Sequence, residues 1–510
     1  MYQYIIFCAL VLYLFHTLVY HKYNWPSYVR MINKIPGPKG VLFFGSTLKY
    51  YRLKHEELLP DMLKDLKTWG PTFRYWYSGV AVVIVSDIDD IQTILTSRQS
   101  YRKGIIYKNI KPWLGTGLLI STGQKWHTMR KIITPTFHFS ILQEYVHVFN
   151  KNTKIMVKLL EECDKEDCDL NGFITYCALD SICETSMGTF LNSQRTKAES
   201  EYVQAIFGIG KIIVERMFSP FLFSDRNFKM SSLGREQAKL LKILHGFTSK
   251  IIEEKKQAFE KTETEERDPD QPKKISFLEM LLEKQKTHFF SDTDIREEVD
   301  TFLMAGHDTT AAALTWAFFE LGHRHDIQDK VYEEMRRIFG DSDRSPTYQD
   351  LMEMSYLKRV LQETLRIYPS VPVISRKFDS DIQLKNYVVP ARTEMVLVIY
   401  SIHRNPDIYP DPEKFDPDRF LPEESEKRHT FAYVPFSAGQ RNCVGQKYAM
   451  LQMLVLASSI LRRYKIISLD DRESVKPLPD VILRPNKKLK WRIIPRNSID
   501  KNENTLNSNF

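Results

Sequence analysis

The chain has few cysteines, and their spacing excludes two classes of protein. Six cysteines stand among 510 residues, and no two of them are separated by only two residues. Structural zinc sites are usually built from such close pairs, so a zinc-binding domain is not expected. The cysteines are also too sparse for a disulfide framework, and the sequence therefore indicates a protein of a reducing compartment.

The sequence also lacks a block of basic residues, a phosphate-binding loop and any flavin or nicotinamide motif. Its formal net charge of +8 comes from scattered lysines and arginines without interleaved aromatic residues. Nucleic acid is therefore not an expected partner, whereas an acidic protein or a membrane surface fits this charge. Without a nucleotide motif, any electrons that the chemistry needs must come from another protein.

Residues 4–20 are almost wholly apolar, and their length is close to the short limit for a helix that spans a bilayer. A cleaved signal peptide is the alternative, but no basic residue precedes the run and no clear cleavage site follows it. Basic residues follow instead, among them Lys22, Arg30 and Lys34. Since positive charge stays on the cytosolic side, the pattern predicts an uncleaved transmembrane anchor over residues 1–21 with the rest of the chain in the cytosol.

The remaining chain is predicted to form one domain, mostly α with small β-sheets. A basic, proline-rich hinge over residues 22–40 leads into a catalytic domain over 41–496, and the polar tail 497–510 is expected to be disordered. Apolar periodicity predicts helices over 88–95, from 232 to about 259, from 291 to about 322 and over 446–461. β-branched and aromatic runs predict a strand pair in 73–86, divided at Ser78 and Gly79, and strands over 382–384 and 395–399.

Residues 436–445 read Phe-Ser-Ala-Gly-Gln-Arg-Asn-Cys-Val-Gly and stand at the start of the helix predicted over 446–461. Cys443 therefore lies where backbone N–H groups and the helix dipole favour a negative charge. Such a position is expected to lower the pKa of a thiol, and a thiolate is the form that binds a metal. The alternative for a single cysteine is a small buried apolar residue.

This stretch resembles the haem-binding loop of the cytochromes P-450, which are haem-thiolate monooxygenases. The family pattern is Phe-x-x-Gly-x-Arg-x-Cys-x-Gly, and every fixed position matches. Such a pattern recurs by chance in roughly one chain in 10⁴ of this length. The resemblance implies the P-450 fold and haem b, with Cys443 as the axial ligand of the iron and Phe436 and Arg441 beside the haem.

The helix predicted from residue 291 has an unusual centre, residues 305–310, Ala-Gly-His-Asp-Thr-Thr. Gly306 costs a helix about 1 kcal/mol relative to alanine, and the two threonine hydroxyls compete for backbone carbonyls. A local opening of the helix is therefore predicted, either as a kink without chemistry or as the oxygen-binding groove of the family. The resemblance makes Thr309 the alcohol that steadies dioxygen and passes protons, and Asp308 the acid that supplies them.

Residues 131–139 and 298–302 resemble family four of the cytochromes P-450, and the chain looks like an insect-type microsomal member. Many members of family four carry Glu at the position of Ala305, where it forms an ester with a haem methyl group. Because alanine has no carboxylate, haem is expected to be bound non-covalently.

Further residues match positions that hold the haem or support its loop in the family. Trp126 and Arg130 are four residues apart on one helix face, and with Arg376 they match ligands of the haem propionates. The alternative for Trp126 and Arg130, taken alone, is a buried tryptophan beside a surface arginine. Three others match a structural network, Glu363, Arg366 and Arg419; as an isolated pair, Glu363 and Arg366 are a weak surface ion pair.

The resemblance implies insertion of one oxygen atom from O₂ into a lipophilic substrate. Its expected partners are NADPH–cytochrome P-450 reductase and cytochrome b5, and its expected location is the endoplasmic reticulum membrane, facing the cytosol. Residues 206–223 are expected near the substrate entrance, facing the bilayer. Three lysines are expected to meet the acidic face of the reductase, Lys125, Lys131 and Lys447. The alternatives are a haem-thiolate isomerase or lyase, a non-catalytic haem-binding membrane protein, and a nucleotide- or DNA-binding protein; no motif specifies the substrate.

Overall fold

A computed structural model of the chain describes residues 25–40, 45–77, 79–99, 101–163, 167–197, 200–264, 276–288 and 290–496. The predicted anchor, residues 1–21, and the predicted tail, residues 497–510, lie outside these ranges. No helix within them is both long enough and apolar enough to cross a bilayer.

Helices make up most of the described chain, and β-strands form only small sheets, as the sequence predicts. The α-helices are α1 (Trp25–Ile32), α2 (Thr47–Arg52), α3 (Leu58–Trp69), α4 (Ile88–Thr96), α5 (Ile105–Leu114), α6 (Gly123–Ile133), α7 (Phe139–Glu162), α8 (Leu170–Ile182), α9 (Ser193–Thr196), α10 (Ser200–Phe218), α11 (Asp225–Met230), α12 (Ser232–Thr264), α13 (Phe277–His288), α14 (Asp292–Leu303), α15 (Thr309–His323), α16 (His325–Phe339), α17 (Tyr348–Glu353), α18 (Ser355–Ile367), α19 (Ile399–Ile402), α20 (Pro422–Glu426) and α21 (Gln446–Leu461).

The strands are β1 (Thr72–Tyr77), β2 (Val80–Val85), β3 (Tyr101–Arg102), β4 (Val373–Phe378), β5 (Ile382–Gln383), β6 (Val388–Val389), β7 (Glu394–Val398), β8 (Tyr464–Ser468), β9 (Pro477–Pro479), β10 (Leu483–Pro485) and β11 (Trp491–Pro495). The largest sheet has the order β1-β2-β7-β4-β3. β1 and β2 form the predicted antiparallel pair, and β2 pairs in parallel with β7, with Val82 opposite Glu394. This sheet therefore joins strands near the start of the domain to strands from the C-terminal half of the chain.

The predicted long helix at the centre of the chain forms with a change of helical type in its middle. Ser291 caps α14 through a capping box with Asp294. The segment Met304–Asp308 is a π-helical turn, and α15 continues the helix to His323. Nearly every residue of α15 is buried, so this helix is surrounded by protein. The predicted opening of the helix is confirmed.

Part of the predicted hinge packs on the domain. Residues 25–32 form α1, and the side chains of Ile32 and Ile35 are fully buried in the same apolar cluster as Val83 of β2. The carbonyl of Pro36 accepts a hydrogen bond of 2.8 Å from the N–H of Arg74. The described part of this segment is therefore docked on the domain.

Several predicted boundaries differ from the structure. Helix α12 continues to Thr264, beyond the predicted end near Phe259 and into the first residues of a segment expected to be a loop. The predicted strand over 395–399 ends at Val398, because α19 begins at Ile399. The apolar segment over 206–223 comprises the end of α10 and a 3₁₀ turn, Pro220–Leu222.

Candidate active site

A mainly apolar cavity of about 320 Å³ separates the π-helical turn from the loop that carries Cys443. Ala305, Gly306 and Thr309 line one part of this cavity, while Phe436 and Cys443 line another. Residues that are more than a hundred positions apart in the sequence thus face one space. The structure brings together the helix centre and the loop motif that the sequence singled out separately.

The loop before α21 is held by its own backbone. The N–H of Cys443 donates to the carbonyl of Phe436 at 2.9 Å. Gly439 has φ +70°, and a Cβ atom there would lie 2.0 Å from the carbonyl oxygen of Leu95. Only glycine fits this close approach without movement of α4, which explains the fixed glycine of the pattern.

Cys443 is exposed to the cavity, but the walls of the cavity enclose its thiol. Burial raises its pKa, and the opposing effects of the Gly445 N–H and the Arg130 guanidinium do not offset this. The expectation of a lowered thiol pKa is therefore wrong for the polypeptide alone, because desolvation outweighs the start of the helix. A cation bound at the sulfur is what would favour the thiolate.

Four basic side chains line one region of the cavity, Lys103, Arg130, Arg376 and Arg441. Arg130 donates to the backbone carbonyl of Asn442 at 2.8 Å and to its side-chain oxygen at 2.7 Å. The Arg441 guanidinium lies over the ring of Trp126 at 4.0 Å. Arg130 thus anchors the residue next to Cys443, a contact that the sequence did not predict.

Lys103 shows that positive charge is concentrated in this region. Burial, together with the charges of Arg376 and Arg441, lowers its pKa well below the usual value. Four positive charges in one buried region repel one another, and this arrangement is unfavourable unless an anion binds among them. A flat apolar cofactor with carboxylate groups at one edge and a metal above the thiol matches this cavity, so the residues present fit haem.

The π-helical turn gives the other side of the cavity its shape. The Thr309 hydroxyl donates to the carbonyl of Ala305 at 2.7 Å, and the Thr310 hydroxyl donates to that of Gly306 at 3.2 Å. A Cβ atom on Gly306 would lie 2.5 Å from Cδ1 of Ile182, so glycine here permits close packing of α8. Ala305 is exposed to the cavity and places no carboxylate in it.

Asp308 does not line the cavity. Its carboxylate is buried and forms an ion pair with Arg484 of β10. Arg484 therefore fixes the position of this carboxylate, and its role as the acid that supplies protons stays a prediction. Arg484 itself lies over the ring of Phe207 at 4.1 Å.

Glu363, Arg366 and Arg419 lie together behind the loop. Arg366 donates to both carboxylate oxygens of Glu363, at 2.7 and 2.8 Å, and both side chains are fully buried. Nε of Arg419 lies 3.6 Å from Oε1 of Glu363, and the backbone N–H of Asp416 donates a hydrogen bond of 2.8 Å to the same oxygen. The alternative of an exposed, weak ion pair is therefore wrong for Glu363 and Arg366.

His403 connects this network to the loop. Its Nε2 accepts a hydrogen bond of 2.9 Å from the N–H of Val434, and its Nδ1 lies 3.2 Å from the carbonyl of Arg366. These partners fit a neutral ring that carries its proton on Nδ1. The ring thus joins the end of α18 to the segment that leads into the haem-loop pattern.

Sequence reasoning missed three residues of this region, Lys103, His403 and Arg484. Each is defined by partners far away in the sequence, and none belongs to a local motif. A lysine after a two-residue strand, a histidine after an apolar run and an arginine in a short hairpin carry no signal that distinguishes them from surface residues.

Comparison with known proteins extends the motif matches to the whole chain. The cytochrome P450 family model matches residues 35–493. Cytochrome P450 4c3 of Drosophila melanogaster is 39% identical over 500 residues, covering 95% of this chain and 93% of that protein. Cytochrome P450 4c21 of Blattella germanica is 40% identical over 474 residues (92% and 94%), and human cytochrome P450 4V2 is 41% identical over 438 residues (84% and 83%).

A match of this extent includes the helices, the sheets and the cavity between them as well as the loop. It therefore accounts for the fit to haem b, which members of the family bind non-covalently through a cysteine thiolate. The chain belongs to the cytochrome P450 family, and it is a haem-thiolate monooxygenase.

Proposed function

We propose that Cys443 is the axial ligand of the haem iron and that the enzyme hydroxylates a lipophilic substrate with electrons from NADPH–cytochrome P-450 reductase. The observation that carries this proposal is that Cys443 and Thr309 line the same cavity. A thiolate-ligated haem, when bound, supplies reductive activation of O₂ for insertion into a C–H bond.

Groups of the protein hold the Cys443 sulfur in position and supply protons to the cavity. The Phe436–Cys443 backbone hydrogen bond holds the sulfur in place. The Thr309 hydroxyl, next to the cavity, holds a proton on Oγ1 that is shared with the Ala305 carbonyl. Asp308 resupplies that proton when its carboxylate leaves Arg484, and the apolar lining limits bulk water.

The haem carboxylates are proposed to meet the basic region of the cavity. Charge complementarity supports Arg130, Arg376, Arg441 and the Trp126 N–H as donors, and it adds Lys103 to the residues predicted from the sequence. Glu363, Arg366 and Arg419 are proposed as a structural network for the Cys443 loop, because Glu363 is buried and paired with both arginines and none of the three lines the cavity.

The lining supports a lipophilic substrate. Ile213, Val214 and Met217 of α10 contribute to the cavity, as do Val481 and Ile482 at the tip of the β9–β10 hairpin. Fatty acids, hydrocarbons, hormones and foreign compounds of low polarity all fit such a lining. Family-level analogy favours fatty acids and related lipids.

An exposed apolar patch near the end of α10 supports a location at the endoplasmic reticulum membrane with the domain in the cytosol. Phe221 is 63% exposed and its ring meets that of Tyr51, which is 53% exposed, at 6.2 Å. Phe207 is 38% exposed on the same helix that lines the cavity. Such a patch is suited to contact with a bilayer, from which a lipophilic substrate would enter.

For the reductase and for cytochrome b5, Lys131 and Lys447 remain the proposed contacts because both are exposed. Lys125 differs from the expectation. Its ammonium group is 2.6 Å from Asp294 and 3.5 Å from Glu297, so its charge is largely offset within the chain.

The test combines a spectrum with turnover. The reduced carbon monoxide complex should show the thiolate-type Soret band, and Cys443→Ala should lose it, with Cys177→Ala as the control for loss of a buried thiol elsewhere. Purified protein with reductase and NADPH should then hydroxylate members of a lipid panel. Product without NADPH would favour an isomerase or lyase, and haem binding without any turnover would favour a non-catalytic haem protein.

A further inference from the structure

Two cysteines outside the haem cavity lie in contact between helices α7 and α8. Cys163 directly follows α7, and Cys168 lies two residues before α8. Their Sγ atoms are 3.1 Å apart. A disulfide bond is about 2.0 Å long, so the two sulfurs need to approach by only about 1 Å to bond. We propose that Cys163 and Cys168 form a peroxide-sensitive thiol pair that closes to a disulfide.

The two thiols differ in their access to solvent, which assigns them different roles. Cys163 is half-buried, and its thiol lies 3.3 Å from the carbonyl of Leu160. Cys168 is 2% exposed, and its backbone N–H donates to the carbonyl of Trp491 at 3.1 Å. An oxidant in solution therefore reaches Cys163 first, and Cys168 is the resolving thiol.

The chemistry requires one equivalent of a hydroperoxide, for which hydrogen peroxide is the simplest case. The Cys163 sulfur loses its proton and attacks one peroxide oxygen; the O–O bond breaks, and a sulfenic acid and water form. The Cys168 sulfur then attacks the Cys163 sulfur, the S–O bond breaks, and a second water leaves with the Cys168 proton. Two thiols lose two electrons in total, and the peroxide is reduced to two waters.

The surrounding charge determines how readily this occurs. Among the described residues next to the pair, Glu161, Glu162, Asp167 and Asp169 are acidic and exposed. An uncharged hydroperoxide approaches such a surface without the repulsion that an anionic oxidant would meet. A metal site is the other use of two adjacent thiols, but no group of three or more His, Cys, Asp or Glu residues suited to a metal occurs in the part of the chain that the structure describes.

The disulfide would link the end of α7 to a residue already paired with β11. Cys168 and Trp491 form an isolated antiparallel bridge. Oxidation therefore joins helix α7 covalently to a segment that is paired with the sheet β8–β11, and neither cysteine lines the haem cavity.

The experiment uses the full-length haem-loaded protein, fully reduced and then exposed to hydrogen peroxide for increasing times. Remaining thiols are alkylated after removal of peroxide, and the digest is analysed by mass spectrometry. The peptide that contains both cysteines should lose two hydrogen atoms and take up no alkyl group, and dithiothreitol should restore both alkylation sites. Cys177 and Cys183, which are fully buried, should stay alkylatable after denaturation.

Variants distinguish the two roles. Cys168→Ser should leave Cys163 as a sulfenic acid that dimedone traps, whereas Cys163→Ser should leave Cys168 unoxidised over the same time. Cys168→Ala serves where the serine variant does not fold. The proposal is overturned if Cys163 proceeds to sulfinic or sulfonic acid while Cys168 remains alkylatable, or if both stay reduced at peroxide exposures that oxidise an unstructured peptide of residues 159–172.

Discussion

Asp308 in the π-helical turn and Arg484 in the C-terminal hairpin form an ion pair across 176 positions of sequence. The carboxylate side chain is 4% exposed and that of the arginine is 18% exposed. Residues at the tip of the same hairpin line the cavity. The position of the acid is therefore coupled to a segment that a substrate would touch.

Removing only one partner of the Asp308–Arg484 pair should destabilise the folded protein. Arg484→Met leaves a buried carboxylate without its cation, and we expect a loss of about 3 kcal/mol in the free energy of unfolding. Adding Asp308→Asn should restore part of that loss, which a double-mutant cycle by urea denaturation would measure. Lys427→Met, which breaks an exposed pair with Glu424, should leave the free energy of unfolding nearly unchanged. Additive single effects would mean that the pair is not coupled.

The Thr309 hydroxyl should control how electrons are used. In Thr309→Ala we expect product per NADPH to fall by about tenfold or more while hydrogen peroxide rises, because a positioned proton is lost. Thr309→Ser keeps the hydroxyl and should retain most of the coupling. Thr315→Ala, a control further along the same helix, should change it little. Unaltered coupling in Thr309→Ala would assign proton delivery to another group.

His403 should make the protein sensitive to acid. Burial, and then the charges of Arg366 and Arg404, lower its pKa from 6.5 to about 3. Below pH 6.5 His403 becomes protonated in the unfolded chain but stays neutral in the folded chain. Its contribution to the free energy of unfolding is therefore fully present above pH 6.5 and is lost as the pH falls toward 3. By pH 5 the loss should reach about 2 kcal/mol.

The control is His403→Gln, whose amide can accept from Val434 and donate to Arg366 without titrating. The free energy of unfolding of the two proteins should converge as the pH is lowered from 7.5 to 5. Parallel pH profiles would show that His403 titrates alike in the folded and unfolded chains.

Gly439 and Gly340 have similar backbone angles, so alanine substitutions at these two positions can separate the cost of backbone strain from the cost of a close contact. Gly439 has φ +70° and Gly340 has φ +58°, but only Gly439 has a neighbouring atom within 4 Å of the position a Cβ would take. Gly340→Ala should cost about 1 kcal/mol through backbone strain alone. Gly439→Ala should cost about 3 kcal/mol because the close contact adds to the strain, and it should lower haem content. Equal losses in the two variants would contradict the close approach to Leu95.

Haem should separate from the polypeptide in acidified organic solvent, because Ala305 offers no carboxylate to the cavity. After turnover, reversed-phase chromatography should show free haem in the natural protein. Ala305→Glu should create a fraction in which haem elutes with the protein, while Ala305→Gln should not. Co-elution in the natural protein would reveal a covalent bond from another side chain.

Local signals in the sequence were enough for the helix cap at Ser291, the hairpin of β1 and β2, and the opening beside Gly306. In each case the residues that determine the feature are neighbours in the chain. The Asp308–Arg484 pair, the His403 link and the basic region around Lys103 depend on tertiary contacts that no local pattern encodes. The pKa of Cys443 shows the same limit, since burial by distant segments outweighs the helix at which the thiol stands.

The parallel pairing of β2 with β7 also has a consequence for biosynthesis. β2 leaves the ribosome with one edge paired to β1, but its other partner begins only at Glu394. At typical rates of translation, this edge of β2 stays unpaired for on the order of 15–60 seconds before β7 is synthesised. An unpaired, apolar strand edge is a template for association with other chains. Chains that stop before residue 394 should therefore aggregate through β2, and the yield of the intact protein should depend on chaperones that shield this hairpin until the C-terminal half arrives.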